Sequence, residues 1–223
     1  MENRSYQIYC AGPLFNPKER EEMEIIAVAL ESSGYSVFLP QRDGIEFARL
    51  LPVLLERDFS IGIAQQMLNK AIFCLDVFQV MNSHGLLLNM NGRVPDEGAM
   101  VEAGIAWAHN KVLVVFRNDD RSLIEGNCNP LVLGLSDFES VSKYEDIPLV
   151  FDNKFSDLAE ESTFFQNTRF ETVKQNGKEI SNYLESKKSA RDITELLIDL
   201  FGEIICRSTE EGKEKFTRMS SQL

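Results

Sequence analysis

Glu102 is the only ionisable side chain between Gly98 and Ala108, a run that reads Gly-Ala-Met-Val-Glu-Ala-Gly-Ile-Ala-Trp-Ala. On a helix its neighbours four residues away are Gly98 and Ala106, which leave an open notch beside the carboxylate. A carboxylate in an apolar notch is costly unless it has a partner or a task. The plain alternatives are exposure to solvent or a buried cation. Three further acids, Asp76, Asp96 and Glu97, stand with Tyr9 as groups that a fold could bring to one place. Paired carboxylates beside an uncharged sugar serve glycosyl chemistry. One attacks the anomeric carbon and is later displaced by an acceptor. The other moves a proton to or from the leaving group.

Such residues need elements to position them. Tyr6 to Ala11 reads as a short buried strand that ends at Gly12-Pro13. Asn16-Pro17 then opens a helix over Lys18 to Leu30, because proline suits the first helical position. Gly34 stops it. Tyr35 to Leu39 reads as a second strand closed by Pro40, and Gln41 to Gly44 as a loop. Ile45 to Leu68 reads as helix in two pieces, broken near Pro52 or Gly62. The apolar run Ala71 to Phe78 is expected to be the third strand, ending near Asp76. Asn82 to Pro95 is then a loop, Gly98 to His109 a helix, and Val112 to Phe116 an all-apolar fourth strand suited to a sheet covered on both faces. Asn118 to Asn129 is a polar loop, and Leu131 to Val141 leads to a possible fifth edge.

Strands alternating with helices predict an α/β fold with a parallel sheet and helices on both faces. Ligands of such sheets bind beyond the carboxyl ends of the strands. Gly12-Pro13-Leu14-Phe15, Pro40-Gln41-Arg42-Asp43, Asp76 and the loop into the Glu102 helix all fall at those expected ends. That convergence strengthens Glu102 as a site residue.

The chain has 223 residues and a formal net charge of −12. No basic patch is present to release counterions from a phosphate backbone, so a nucleic-acid polymer is not an expected partner. Cys10, Cys74, Cys128 and Cys206 are far apart and read as reduced thiols of a cytoplasmic protein. His84 and His109 have no metal-like spacing, so no metal is expected. No apolar run approaches about 20 residues, so no membrane span or secretion signal is expected.

Residues 1–148 read as the catalytic domain and 149–223 as a helical C-terminal extension of unassigned role. Within the extension Ser189-Ala190-Arg191-Asp192 fits a helix start, followed by Ile193, Leu196, Leu197, Leu200, Phe201, Ile204 and Ile205 on one face. The turn Ala11-Gly12-Pro13 is not a dinucleotide fingerprint, and GxxxxGK[ST] and GxSxG are both missing.

The chain resembles the nucleoside 2-deoxyribosyltransferase family in Ile8-Tyr9-Cys10-Ala11-Gly12-Pro13-Leu14-Phe15-Asn16-Pro17, in Ala71 to Asp76, in Pro95-Asp96-Glu97-Gly98-Ala99-Met100-Val101-Glu102-Ala103-Gly104, in Lys111 with its strand, and in Asn129-Pro130-Leu131. The resemblance spans roughly residues 6 to 140 and implies a flavodoxin-like fold. By that resemblance Glu102 is the nucleophile at C1′ of the deoxyribose, Tyr9 orients it, and Asp96 helps the base leave. It further implies substrate contacts from Asn129 (lent by a neighbouring subunit), Asp76, Phe15, Gly12, Gly98 and Gln41. It implies no cofactor, nucleoside and nucleobase as partners, and a homo-oligomer. The family's polar residue on the helix before the third strand falls near Ile63, with Asp58 as a substitute, and Leu131 stands where some members have methionine. Two other readings stay open. One is an N-hydrolase acting on a 2′-deoxynucleoside or its 5′-phosphate, although Asp96 and Glu97 would repel a phosphate. The other is a non-catalytic module that senses a nucleotide.

Overall fold

The computed structural model describes residues 6–45, 47–56, 60–92, 95–119 and 129–160, with isolated positions 175, 176, 179, 182, 186, 196 and 200. The chain divides into two compact units, Met1–Ser162 and Thr163–Leu223. The first holds a parallel sheet of β1 (Gln7–Ala11), β2 (Ser36–Phe38), β3 (Gly85–Asn89) and β4 (Val112–Phe116), in the order β2-β1-β3-β4. Every pairing is parallel, so the chain crosses over the sheet between strands. Val141 extends it by a single bridge to Phe116, which is all that forms of a fifth edge among the described residues. With helices packed on both faces, this is the flavodoxin-like α/β architecture expected from the alternating pattern.

Alternation along the strands sorts the core into two layers. Ile8, Cys10, Leu87, Val114 and Phe116 face α1 (Pro17–Ser32) and α7 (Ile147–Glu160), where Met23, Ile26, Leu30 and Phe151 meet them. Tyr9, Ala11, Leu86, Leu88, Leu113 and Val115 face α5 (Glu97–Ala108), which buries only Ala99, Ala103 and Ala106. Three alanines let α5 lie close to the strands. That closeness brings a helical side chain within reach of Tyr9. The α7 helix packs within the first unit, Met1–Ser162.

Caps follow the sequence signals. Asn16 caps α1 with a full capping box to Glu19, and Pro17 is the first helical residue. Gly34 closes the helix at φ 90°, a left-handed conformation that favours glycine. The loop read over Gln41 to Gly44 is a short helix, α2 (Pro40–Asp43).

The third strand was misplaced by periodicity. Ala71 to Phe78 is helical, part of α4 (Ile61–Asn82), and the strand is Gly85–Asn89 inside the expected loop. A short apolar run does not by itself distinguish a strand from a helix. Two physical facts decide it. Ser60 caps a helix that runs on unbroken, burying Ala64, Leu68 and Val80. Gly85 fits where a Cβ would stand 2.9 Å from Phe151 and 3.0 Å from the Val112 carbonyl, so the central strand starts there. The break between the two helical pieces follows α3 (Phe47–Leu55), which contains Pro52; Gly62 lies in the first turn of α4. The expected helix over residues 193–205 lies outside the described residues apart from Leu196 and Leu200.

Gly12 packs against both α1 and β3. A Cβ there would lie 2.6 Å from Met23 Sδ and 2.8 Å from Asn89 Cβ. Met23 can swing away, but Asn89 Cβ is tied to the backbone of the central strand. We expect Gly12→Ala to lower the unfolding free energy by about 1–3 kcal/mol, the usual cost of overpacking, as read from urea melts.

Candidate active site

Tyr9 and Glu102 meet on the α5 face of the sheet. Tyr9 Oη donates to Glu102 Oε1 at 2.6 Å. Tyr9 is fully buried and its ring stacks on Phe38 of β2. Burial, with the adjacent Glu102 charge, pushes the phenol well above its ordinary range, so it stays a neutral donor. Burial likewise raises Glu102, to about 7. The Tyr9 hydrogen bond pulls it back down, while the Asp76 and Asp96 charges push it up. A carboxylate raised toward neutral pH by burial is poised to be ionised for attack yet weakly solvated.

Asp96 caps α5, accepting from the Ala99 amide at 2.6 Å. Gly98 follows in the first turn, where an added Cβ would stand 3.1 Å from Asp96 Oδ1. Asp96 therefore serves the helix whatever else it does. We expect Asp96→Ala to cost about 1 kcal/mol, whereas Asp96→Asn keeps the cap and the stability. Thermal melts of the two variants, set beside their activities, separate capping from proton transfer.

Asp76 is the main correction to the site. It does not end a strand but projects from α4, the helix before β3. Ile63, where the resemblance places the family's polar residue, is exposed on α4, and its substitute Asp58 lies outside the described residues. Burial raises the Asp76 carboxyl above its usual range, and its charge acts on both Tyr9 and Glu102. Asp76 also lines a cavity of about 520 Å³, together with Leu14, Arg20, Gln41, Phe47 and Ile72. This cavity lies past the carboxyl ends of β1 and β2, the ligand side of a parallel sheet.

Other expected site residues are placed as follows. Gln41 Nε2 donates to the Arg20 carbonyl at 2.9 Å, and its Oε1 is buried without a hydrogen-bond partner. Phe15 is 80% exposed on the loop after β1. Asn129 is exposed and caps the short helix α6 (Pro130–Leu133), accepting from the Leu131 amide. No hydrogen bond among the described residues joins Asn129 to Tyr9, Asp96 or Glu102. Cys10 is buried in the core, and Cys74 is exposed on α4 rather than within a strand.

A polar cluster beside the site escaped the sequence reading. Glu22 of α1 accepts from Asn89 Nδ2 at 2.9 Å, Asn91 Nδ2 at 2.8 Å and Tyr144 Oη at 2.9 Å. Asn91 also donates to Asn118 Oδ1 at 2.7 Å. The cluster clips the segment after β3 to the segment after β4. Its signal was the asparagine-rich stretch Asn89-Met90-Asn91-Gly92, whose buried amides had to find partners.

The model of the nucleoside 2-deoxyribosyltransferase family matches residues 8–189. The chain belongs to the nucleoside 2-deoxyribosyltransferase family. The match runs beyond the segments that carried the resemblance in the sequence. Among solved structures, a conserved protein from Enterococcus faecalis V583 aligns with a TM-score of 0.53 at 20% identity, covering 68% of this chain and 99% of that one. The 2-deoxyribosyltransferase of Bacillus psychrosaccharolyticus aligns at 0.45 and 17% identity, covering 64% and 90%. A CMP N-glycosidase from Clostridium botulinum aligns at 0.36 and 14% identity, covering 66% and 98%. No curated protein sequence matches. Membership places the chain among enzymes that handle nucleoside N-glycosides. No described helix is long and apolar enough to cross a membrane.

Proposed function

We propose that this family member moves 2-deoxyribose from one nucleobase to another through a glycosyl ester on Glu102. The observation that carries this reading is the 2.6 Å Tyr9–Glu102 hydrogen bond, on both partners of which the Asp76 charge acts. The Glu102 carboxylate attacks C1′, and the C1′–N bond breaks with its electron pair leaving on the base. A neighbouring acid gives that base a proton. Asp96 and Asp76 both act on Glu102, and burial favours the protonated form of Asp76. An incoming base then attacks C1′, gives up its proton to the same acid, and frees Glu102. Tyr9 holds the nucleophile's orientation throughout. Gly12 and Gly98 lie in the turn after β1 and the first turn of α5, and the exposed Phe15 offers a face on which a base can stack.

An exchange assay tests this. The protein is incubated with a deoxynucleoside, with and without a second free base, and products are separated by chromatography. A new deoxynucleoside that forms only with the second base supports transfer. Free base released without an acceptor marks hydrolysis. Saturable binding without turnover marks a sensing module.

Assembly into a homo-oligomer fits this reading. Helix α3 buries none of its residues, and Phe73, Phe78, Ile63 and Met67 on α4 are exposed. Apolar faces of this extent commonly mark an interface. A neighbouring copy could then bring its Asn129 to the sugar. Sedimentation velocity would show a dimer or larger species, and a monomer at assay concentration removes the shared site.

A further inference from the structure

The cavity lined by Asp76 holds one cation, Arg20, whose terminal donors make no hydrogen bond or ion pair to the described residues. Arg20 sits in the first turn of α1, its amide on the Asn16 carbonyl at 3.1 Å and its own carbonyl accepting from Gln41. Its Nε donates to the Leu14 carbonyl at 2.9 Å, which fixes the plane of the guanidinium. No carboxylate among the described residues pairs with it, whereas Arg42 is held by Glu24, Glu31 and Asp43, and Arg117 by Asp119. The remaining four N–H groups lie on the two terminal nitrogens, in a planar fork. Leu14, Phe47 and Ile72 supply apolar wall for a flat ring.

We infer that Arg20 selects the nucleobase, favouring bases that present two adjacent acceptors on one edge. This rests on the deoxyribosyl-transfer reading and names its base class. A two-pronged donor matches O6 and N7 of guanine or hypoxanthine, and O2 and N3 of cytosine. Adenine sets its amino donor beside N7, and thymine and uracil set N3–H between their carbonyls. Against those edges at least one prong meets a donor or is left unpaired.

Binding of free bases, measured by calorimetry, tests the selection without requiring turnover. Guanine, hypoxanthine and cytosine are expected to bind about 5- to 100-fold more tightly than adenine or thymine. Arg20→Ala and Arg20→Lys should both flatten that preference, because an ammonium cannot present two coplanar donors. Arg20 is exposed, so neither variant should alter the thermal midpoint. Equal affinity for all the bases, no binding of any base, or a preference that survives Arg20→Ala would each overturn the inference. So would a loss confined to deoxynucleoside 5′-monophosphates, because Arg20 would then be holding a phosphate. Base preference that depends on Arg20, in a protein that fails to exchange bases, leaves this inference standing and removes the transfer reading.

Discussion

Glu102→Gln is expected to abolish base exchange while making the protein more stable above neutral pH. The amide keeps the shape and can still accept from Tyr9, but it cannot attack C1′. Loss of a covalent nucleophile costs about four to six orders of magnitude in kcat. The stability gain follows from the raised Glu102, whose ordinary value of 4.5 becomes about 7 in the fold. Below the lower value the group is protonated in both states and costs nothing. Between the two the folded state binds more protons, so stability falls as pH rises. Above the upper value the whole penalty of a buried charge is present. Glu102→Gln should therefore match the parent near pH 4 and exceed it at pH 8 by about 1–3 kcal/mol. Thermal melts at the two pH values measure the difference. A variant that exchanges bases, or one less stable than the parent at pH 8, contradicts the assignment.

Tyr9→Phe should both slow the reaction and move its acid limb. A hydrogen bond to an ionised partner contributes about 1.5–3 kcal/mol, so kcat/KM should fall about 10- to 100-fold at pH 7. The parent's kcat/KM should rise with pH through about 7, as Glu102 ionises. The Tyr9 hydroxyl favours that ionised form, so its removal shifts the limb to higher pH. Part of the loss should then be recovered at pH 9. A uniform loss at every pH would mean that Tyr9 only packs. Asp76→Asn or Asp96→Asn should lower kcat in whichever variant removes the acid that protonates the leaving base.

The chemistry of the site is local in sequence to an unusual degree. Asp96, Gly98 and Glu102 lie within two helical turns, and their cap, notch and lone charge could be read directly. The strand-helix alternation similarly led to the parallel sheet and to its ligand-binding end. Asp76 shows where such reading stops. Ile72-Phe73-Cys74-Leu75 is apolar on every side, and period alone does not tell whether such a run threads a sheet or coats one. The structure uses it as a helix with exposed apolar residues, and takes the plainer Gly85-Leu86-Leu87-Leu88-Asn89 for the central strand.

Residue types and short-range spacing thus determined which side chain is the candidate nucleophile, which residue caps its helix, and which family the chain joins. Tertiary structure decided that Asp76 on α4 acts on Tyr9 and Glu102, that the Tyr9 hydroxyl is within hydrogen-bond reach of Glu102, and that Arg20 shares a cavity with Asp76. Those pairings join residues up to 93 positions apart. They exist only because three alanines seat α5 against the sheet and α4 crosses beside it, and no local periodicity encodes the distance between two packed elements.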